Sequence, residues 1–184
     1  MNHNIVNPFE YKWLMSCEML SKVFSTCSKR QYFSVILASN RRVLGTGYNG
    51  SPPGFGHCNE GFCPRLFDNS PNGSSYDNCI ANHAEANALL WSDPHDRKGG
   101  TLIVNGPPCF SCAKLICSSG ISRVICYDDT AYEQRVHVSR FFFDNGVQAI
   151  YLPRVSAEAE VSISNRNSFD NYLINEKRKD TLRG

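Results

Sequence analysis

From Thr101 to Leu152 the chain alternates between apolar strands and amphipathic helices, and that alternation admits very few folds. Thr101–Asn105, Arg123–Tyr127 and Val147–Leu152 read as strands. Helices are predicted between them, over Cys109–Ser119 and over Tyr132–Asp144, the second closed by Asn145-Gly146. The run Phe141-Phe142-Phe143 reads as helix core. Strands and helices taking turns in this way predict an α/β fold, with helices packed on a mixed, mostly parallel five-stranded sheet in three α/β/α layers.

The upstream half fits the same plan. Apolar residues at helical intervals (Leu14, Met15, Leu20, Val23, Phe24) predict a helix over Tyr11–Ser25. Tyr32–Ala38 and Val43–Tyr48 read as strands joined by the polar turn Ser39-Asn40-Arg41-Arg42. Asn49–Tyr76 is rich in Gly, Pro, Asn and Ser and is expected to be a long loop. A loop of that length in a compact domain is usually functional or tied down. A further helix is expected over His83–Trp91, stopped by Pro94. Residues 1–152 therefore form the predicted catalytic domain. Residues 153–184 are polar with a basic end (Glu176-Lys177-Arg178-Lys179) and are expected to be a tail or an oligomer-contacting segment.

Charge and cysteine content narrow the function. The 184 residues carry a formal net charge of only +2, which gives no electrostatic case for binding nucleic acid or a membrane surface. No apolar run is long enough to span a bilayer, and Met1–Glu10 lacks an export-type apolar segment, so a cytoplasmic protein is expected. Nine cysteines are many for this length, and an odd number cannot all pair within one chain. Without an export signal, metal binding is the better reading.

Two segments carry the chemistry: His83-Ala84-Glu85 and Pro108-Cys109-Phe110-Ser111-Cys112. Each opens a predicted helix. Cys109 and Cys112, three apart, share a helix face and can hold one metal. Pro108 suits a helix start, and the partial positive charge there favours thiolate over thiol. With His83 as third ligand, the fourth tetrahedral position stays open for water, as in catalytic zinc sites. Zinc brings the pKa of such a water from about 16 to about 7. Glu85 is placed to shuttle the proton rather than to bind metal. Alone, an H-x-E means almost nothing and a C-x-x-C could be redox or structural zinc. The combination, with each motif at a helix start, points to a catalytic zinc.

The pairing of H-x-E with P-C-x-x-C is the zinc deaminase signature. The narrower resemblance is to the deoxycytidylate deaminase family. It rests on Gly47-Tyr48-Asn49-Gly50-Ser51-Pro52-Pro53-Gly54, on Cys27-Ser28-Lys29-Arg30-Gln31, on His83 to Leu89, and on Cys112-Ala113-Lys114-Leu115-Ile116. It covers roughly residues 11–152. It implies hydrolysis of dCMP to dUMP and ammonia in pyrimidine deoxynucleotide metabolism. It implies Asn49, Ser51, Ala84 and Pro108 at the substrate, and Gly47, Asn49 and Gly50 near an allosteric nucleotide, with Mg²⁺ as that nucleotide's companion ion. It also implies a homohexamer, with dCTP and dTTP as effectors. Part of the family holds a structural zinc through a similar Cys, His-Cys, Cys, Cys set. The corresponding residues are Cys27, His57, Cys63 and Cys79, with Cys58 as substitute for His57. The bland alternative is small buried hydrophobes or free thiols.

Three positions depart from the family pattern. Tyr32-Phe33-Ser34 stand where small residues are usual, Cys126 where a Tyr is common (Tyr127 follows), and Asn82 where an apolar residue precedes the ligand His. These leave room for another or a C5-modified cytosine nucleotide as substrate. Lys29, Arg30, Arg41, Arg42, Arg65 and Arg123 all stay open as phosphate partners. Two rivals are a deaminase acting on tRNA or free bases, disfavoured by the small net charge, and a zinc-stabilised interaction module without activity. The module would have no use for Glu85.

Overall fold

The computed structural model describes residues 6–69, 78–129 and 131–154. The segment expected as a C-terminal tail lies outside these from residue 155 onward, as do His3 and the end of the long loop.

Asn7 and Pro8 start helix α1 (Pro8–Phe24) earlier than Tyr11. The Asn7 side chain accepts from the N–H groups of Phe9 and Glu10, each at 3.0 Å, and the Glu10 carboxylate accepts from the Asn7 N–H. This is a reciprocal capping box with Pro in the first turn. Strands β1 (Phe33–Leu37) and β2 (Val43–Tyr48) follow as a hairpin, then α2 (Pro64–Phe67) and α3 (Ala84–Leu90). The remainder is β3 (Thr101–Val104), α4 (Phe110–Ser118), β4 (Arg123–Tyr127), α5 (Arg135–Asp144) and β5 (Gln148–Leu152). Long-loop residues Cys58–Glu60 form a 3₁₀ turn ahead of α2, so that segment is not structureless.

The sheet order is β2-β1-β3-β4-β5. Strand β1 runs antiparallel to both β2 and β3, while β3, β4 and β5 are mutually parallel. Four strands thus share one direction and β1 alone opposes them. Side-chain alternation splits the core in two. Val35, Leu37, Ile103, Ile125 and Tyr127 meet Tyr11, Leu14 and Cys17 of α1 on one face. Ile36, Leu102, Val104, Val124 and Cys126 meet Ala88, Ala113, Ile116, Val138 and Phe142 of α3, α4 and α5 on the other. Both faces are covered, which is why these strands read as nearly unbroken apolar runs. Among the described residues no helix is long and apolar enough to cross a membrane.

Two expectations need correction. Of Phe141-Phe142-Phe143 only Phe142 is core. Phe143 is 75% exposed and Phe141 is partly buried, its ring edge-on to Phe110. Successive helix positions are about 100° apart, so three in a row cannot all face one sheet. Tyr127 does not replace a Tyr at Cys126, because alternation sends it to the α1 face.

Helix α3 reaches its position through glycine. A Cβ on Gly47 would lie 2.2 Å from the Ala84 carbonyl oxygen and 2.4 Å from the Ala88 nitrogen. Strand β2 can therefore touch the backbone of α3, and α3 carries the functional residues at its start. Gly47→Ala would push the helix off the strand. Overpacking of this kind costs about 3 kcal/mol, or roughly 10 °C in Tm for a chain of this size. Thermal denaturation should show that drop, and a smaller one for Gly45→Ala, where the closest approach is 2.9 Å. Equal, negligible shifts in both would mean that α3 does not pack as described.

Candidate active site

Helices α3 and α4 begin with the residues that were expected to bind metal. His83 is the N-cap of α3 in extended backbone conformation (φ −71°, ψ 155°), and Cys109 is the N-cap of α4. The Cys109 sulfur accepts from the Cys112 N–H at 3.5 Å. The helix starts one residue later than expected, so Pro108 precedes the cap and is buried. The extended His83 also explains how His83 and Glu85, two apart, reach one centre: the rule that such residues diverge applies only within a helix.

The Cys109 and Cys112 sulfurs lie 3.3 and 3.4 Å from His83 Nδ1. All three ligand atoms fall within 4.8 Å of one another, and among the described residues no other group of three does so. Zinc with bond lengths near 2.0–2.3 Å spaces tetrahedral ligands about 3.5 Å apart, so the separations suit it. Hydrogen bonding by the Cys112 thiol, and then by His83, lowers the Cys109 thiol to about 4. The same bond to Cys109, aided by burial, raises the Cys112 thiol well above its ordinary value. His83 is raised chiefly by its bond to Cys109. Two sulfurs and an imidazole thus hold shared protons that a divalent metal would displace.

Glu85 is 1% exposed, and burial pushes its carboxyl up to about 7. Its Oε2 has no hydrogen-bond partner within the protein. Buried unpaired carboxylate oxygens are uncommon in stable interiors, and one beside a metal-ligand set fits a proton carrier.

The cavity over this centre has walls that the sequence reading assigned only in part. Ala81, Pro107 and Tyr132, which it did not name, line it together with Lys29, Arg30, Tyr32, Asn49 and Arg65. The period of two along β1 could have flagged Tyr32, since Tyr32, Ser34 and Ile36 share the α3 face. Arg65 is almost fully buried. Of the six basic candidates only Lys29, Arg30 and Arg65 line the cavity. Arg123 instead pairs with Glu10 of α1, and Arg41 and Arg42 are exposed at the hairpin turn.

The expected substrate and effector residues are distributed differently. Asn49 lines the cavity, yet its Oδ1 accepts from the Ala84 N–H at 2.9 Å and its Nδ2 donates to the Arg30 carbonyl at 3.0 Å. Its amide thus clamps the start of α3 to the segment before β1. Ala84 is fully buried, its carbonyl accepting from Ser34 Oγ at 2.8 Å, and Pro107 rather than Pro108 faces the cavity. Ser51, Gly47 and Gly50 line a second cleft of about 300 Å³ beside β2, with Asn82, Asn87 and Trp91. Asn82 and Gly50 exchange backbone hydrogen bonds that tie this loop to the residues leading into α3.

In the second cysteine set the Cys58 thiol hydrogen-bonds to Cys63 and lies near Cys27 and Cys79, and burial above all pushes it to about 12. His57 caps the 3₁₀ turn, its N–H donating to Glu60 at 3.0 Å. Both neighbours thus carry a buried donor: Cys58 beside Cys63, and His57 through Nδ1, which has no hydrogen-bond partner among the described residues. His95 and His137 are exposed, as expected of histidines with no special role.

A family profile described as the cytidine and deoxycytidylate deaminase zinc-binding region matches residues 9–128. The chain belongs to that family. The matched region contains His83, Cys109 and Cys112, and zinc is the metal that this deaminase ligand set takes. The deoxycytidylate deaminase of Mycobacterium phage D29 is 44% identical over 106 residues, covering 55% of this chain and 80% of the phage protein. That of Schizosaccharomyces pombe is 36% identical over 150 residues, covering 80% of this chain but only 45% of the yeast protein. The crystal structure of the cyanophage S-TIM5 dCMP deaminase in complex with dCMP and dUMP shares the fold. It has a TM-score of 0.62 at 24% identity and covers 80% of this chain and 99% of the other. The α/β cytidine deaminase-like fold expected from the sequence is therefore present.

Proposed function

We propose that the protein is a zinc-dependent hydrolase that converts dCMP to dUMP and ammonia, supplying the thymidylate precursor in the cytoplasm. The observation that carries this reading is the buried Glu85 carboxyl, whose Oε2 has no hydrogen-bond partner within the protein, beside the ring of His83, Cys109 and Cys112. The named activity of relatives at 36–44% identity supports the choice of substrate. Zinc held by those three residues would supply a Lewis acid that lowers the pKa of a water. Glu85 would take one proton from the attacking water and deliver it to ring N3, then take the second from the hydroxyl left on C4 and pass it to the departing amine. Asn49 holds Glu85 in register by fixing the start of α3, and presents its remaining amide edge to the nucleoside. Ammonia release from dCMP, dCDP, dCTP, CMP, deoxycytidine and 5-substituted dCMPs tests this. Efficient turnover of dCMP supports it, and silence across the panel from zinc-loaded protein sinks it.

The same reading places a regulatory nucleotide, dCTP with Mg²⁺ or dTTP, in the cleft lined by Gly47, Gly50 and Ser51, within a homohexamer. A rate that responds to dCTP, and the mass of the particle in solution, check these two points. A second, structural zinc would sit among Cys27, His57, Cys63 and Cys79, with Cys58 as substitute for His57, where it would pin a loop with few apolar residues of its own. Cys63→Ser should then lower zinc content by one equivalent and thermal stability with it. Unchanged zinc stoichiometry would leave these cysteines as small buried hydrophobes.

A further inference from the structure

Cys109 reaches the metal-ligand set at the end of a stiff strut. Between it and the end of β3 stand Asn105, Gly106, Pro107 and Pro108. Each proline fixes its own φ and restricts the residue before it to extended backbone. The direction set at Asn105 is therefore carried through to Cys109 with little slack. Neither proline has an N–H with which to tie the strut to its surroundings.

The anchor is Asn105, which is 2% exposed. Its Oδ1 accepts from the Phe33 N–H at 2.8 Å, and its Nδ2 donates to the Gln31 carbonyl at 3.1 Å. The amide thus bonds on both sides of Tyr32, whose ring covers Gly106: a Cβ there would come within 2.6 Å of the phenol oxygen. Nδ2 also lies 3.2 Å from Glu18 Oε2 and 3.2 Å from Ser21 Oγ, so α1 holds the same amide. The main chain adds two bonds. The Asn105 N–H donates to the Phe33 carbonyl at 3.4 Å, and the Asn105 carbonyl accepts from Arg154 Nη2 at 2.7 Å. Arg154 in turn donates to Glu18 at 2.7 Å. One buried residue therefore joins the start of β1, helix α1 and the segment after β5 to the root of the strut.

We propose that Asn105 is a positioning residue for the metal ligand Cys109. Its amide aims the Gly106-Pro107-Pro108 strut so that the Cys109 sulfur stands 3.3 Å from His83 Nδ1, and it thereby sets the metal affinity of the centre. The inference rests on the metal-site reading above and adds to it the residue that holds one ligand in place. Groups that orient metal ligands from behind contribute about 10–100-fold in affinity. Asn105 does not line the cavity, so its effect on turnover runs through the metal.

The test is the zinc Kd of Asn105→Ala, measured by competition with a chromophoric chelator. The equivalent that counts is the one missing from Cys112→Ala. Its Kd should rise about 10–100-fold. In zinc-buffered assays kcat should return to the wild-type value once zinc saturates the site. With cobalt in place of zinc, the sulfur-to-metal charge-transfer band should shift. Asn105→Asp fills the same volume and keeps the acceptor for Phe33 but loses the donor to Gln31, so it should act in the same direction and serves if the alanine variant does not fold. Leu14→Ala, which empties a buried position on α1, controls for stability: Tm should fall by roughly 10 °C with the zinc Kd unchanged. A wild-type Kd in the Asn105 variants, or an equal rise in Leu14→Ala, would overturn the inference and leave the deaminase reading intact. A wild-type protein that holds no metal at this centre overturns both.

Discussion

Glu85→Gln is expected to cut the rate of dCMP deamination by about 10²–10⁴-fold while the protein keeps its full zinc content. Glutamine matches the carboxylate in size and fills the same buried volume, so packing around α3 is preserved. What disappears is the ability to accept and return a proton. Four transfers depend on it: from water to the carboxylate, on to ring N3, from the new C4 hydroxyl back to the carboxylate, and on to the leaving amine. Glu85 is 1% exposed with an unpaired Oε2, so no bulk water stands ready to replace it. Steady-state ammonia release, read beside metal analysis of the same sample, checks the result. Near wild-type turnover in the zinc-loaded variant would remove Glu85 from the mechanism. Lost zinc would instead make it a ligand.

The second large effect is expected from Cys112→Ala. Cys112 is buried, and its sulfur lies 3.4 Å from His83 Nδ1. Without it two protein ligands remain, too few to hold zinc in a tetrahedral site. Turnover should fall to background, with one equivalent of zinc missing. A metal that binds only the folded state stabilises it by about 4 kcal/mol when present at a thousandfold excess over its Kd, so Tm should drop by roughly 10 °C. Chelation of the wild-type protein isolates the metal contribution. Chelated wild type and Cys112→Ala should melt close together, because only the small cavity left by the thiol separates them. A variant that retains its zinc and its Tm would show that the three-ligand centre is misassigned.

Much of this centre was legible in the sequence because its signals are local. A Cys three residues before another at a helix start faces the same point whatever the rest of the chain does. The same holds for the alternation of strands and helices after Thr101, which set the layered fold. Signals failed where the deciding partner lies far away in sequence. Pro107 lines the cavity, and nothing local in the motif Pro107-Pro108-Cys109 singles it out from Pro108. Gly47 lines the cleft beside β2, and only the fold shows that it also has a packing role, with a helix carbonyl 2.2 Å from where its Cβ would be.

By itself, then, the sequence determined the candidate ligand set His83, Cys109 and Cys112, the proposed proton carrier Glu85 and the α/β architecture. Residue spacing and hydrophobic period encode each of these within a few turns of chain. Only the tertiary structure decided the walls of the cavity. Tyr32 enters from the residue before β1, Arg65 from α2 and Tyr132 from the segment before α5, and each meets the zinc ligands only when the sheet brings distant strands and helix starts to one end. Burial, which sets the protonation of Glu85 and Tyr32, is likewise a property of that assembly and of no single stretch of residues.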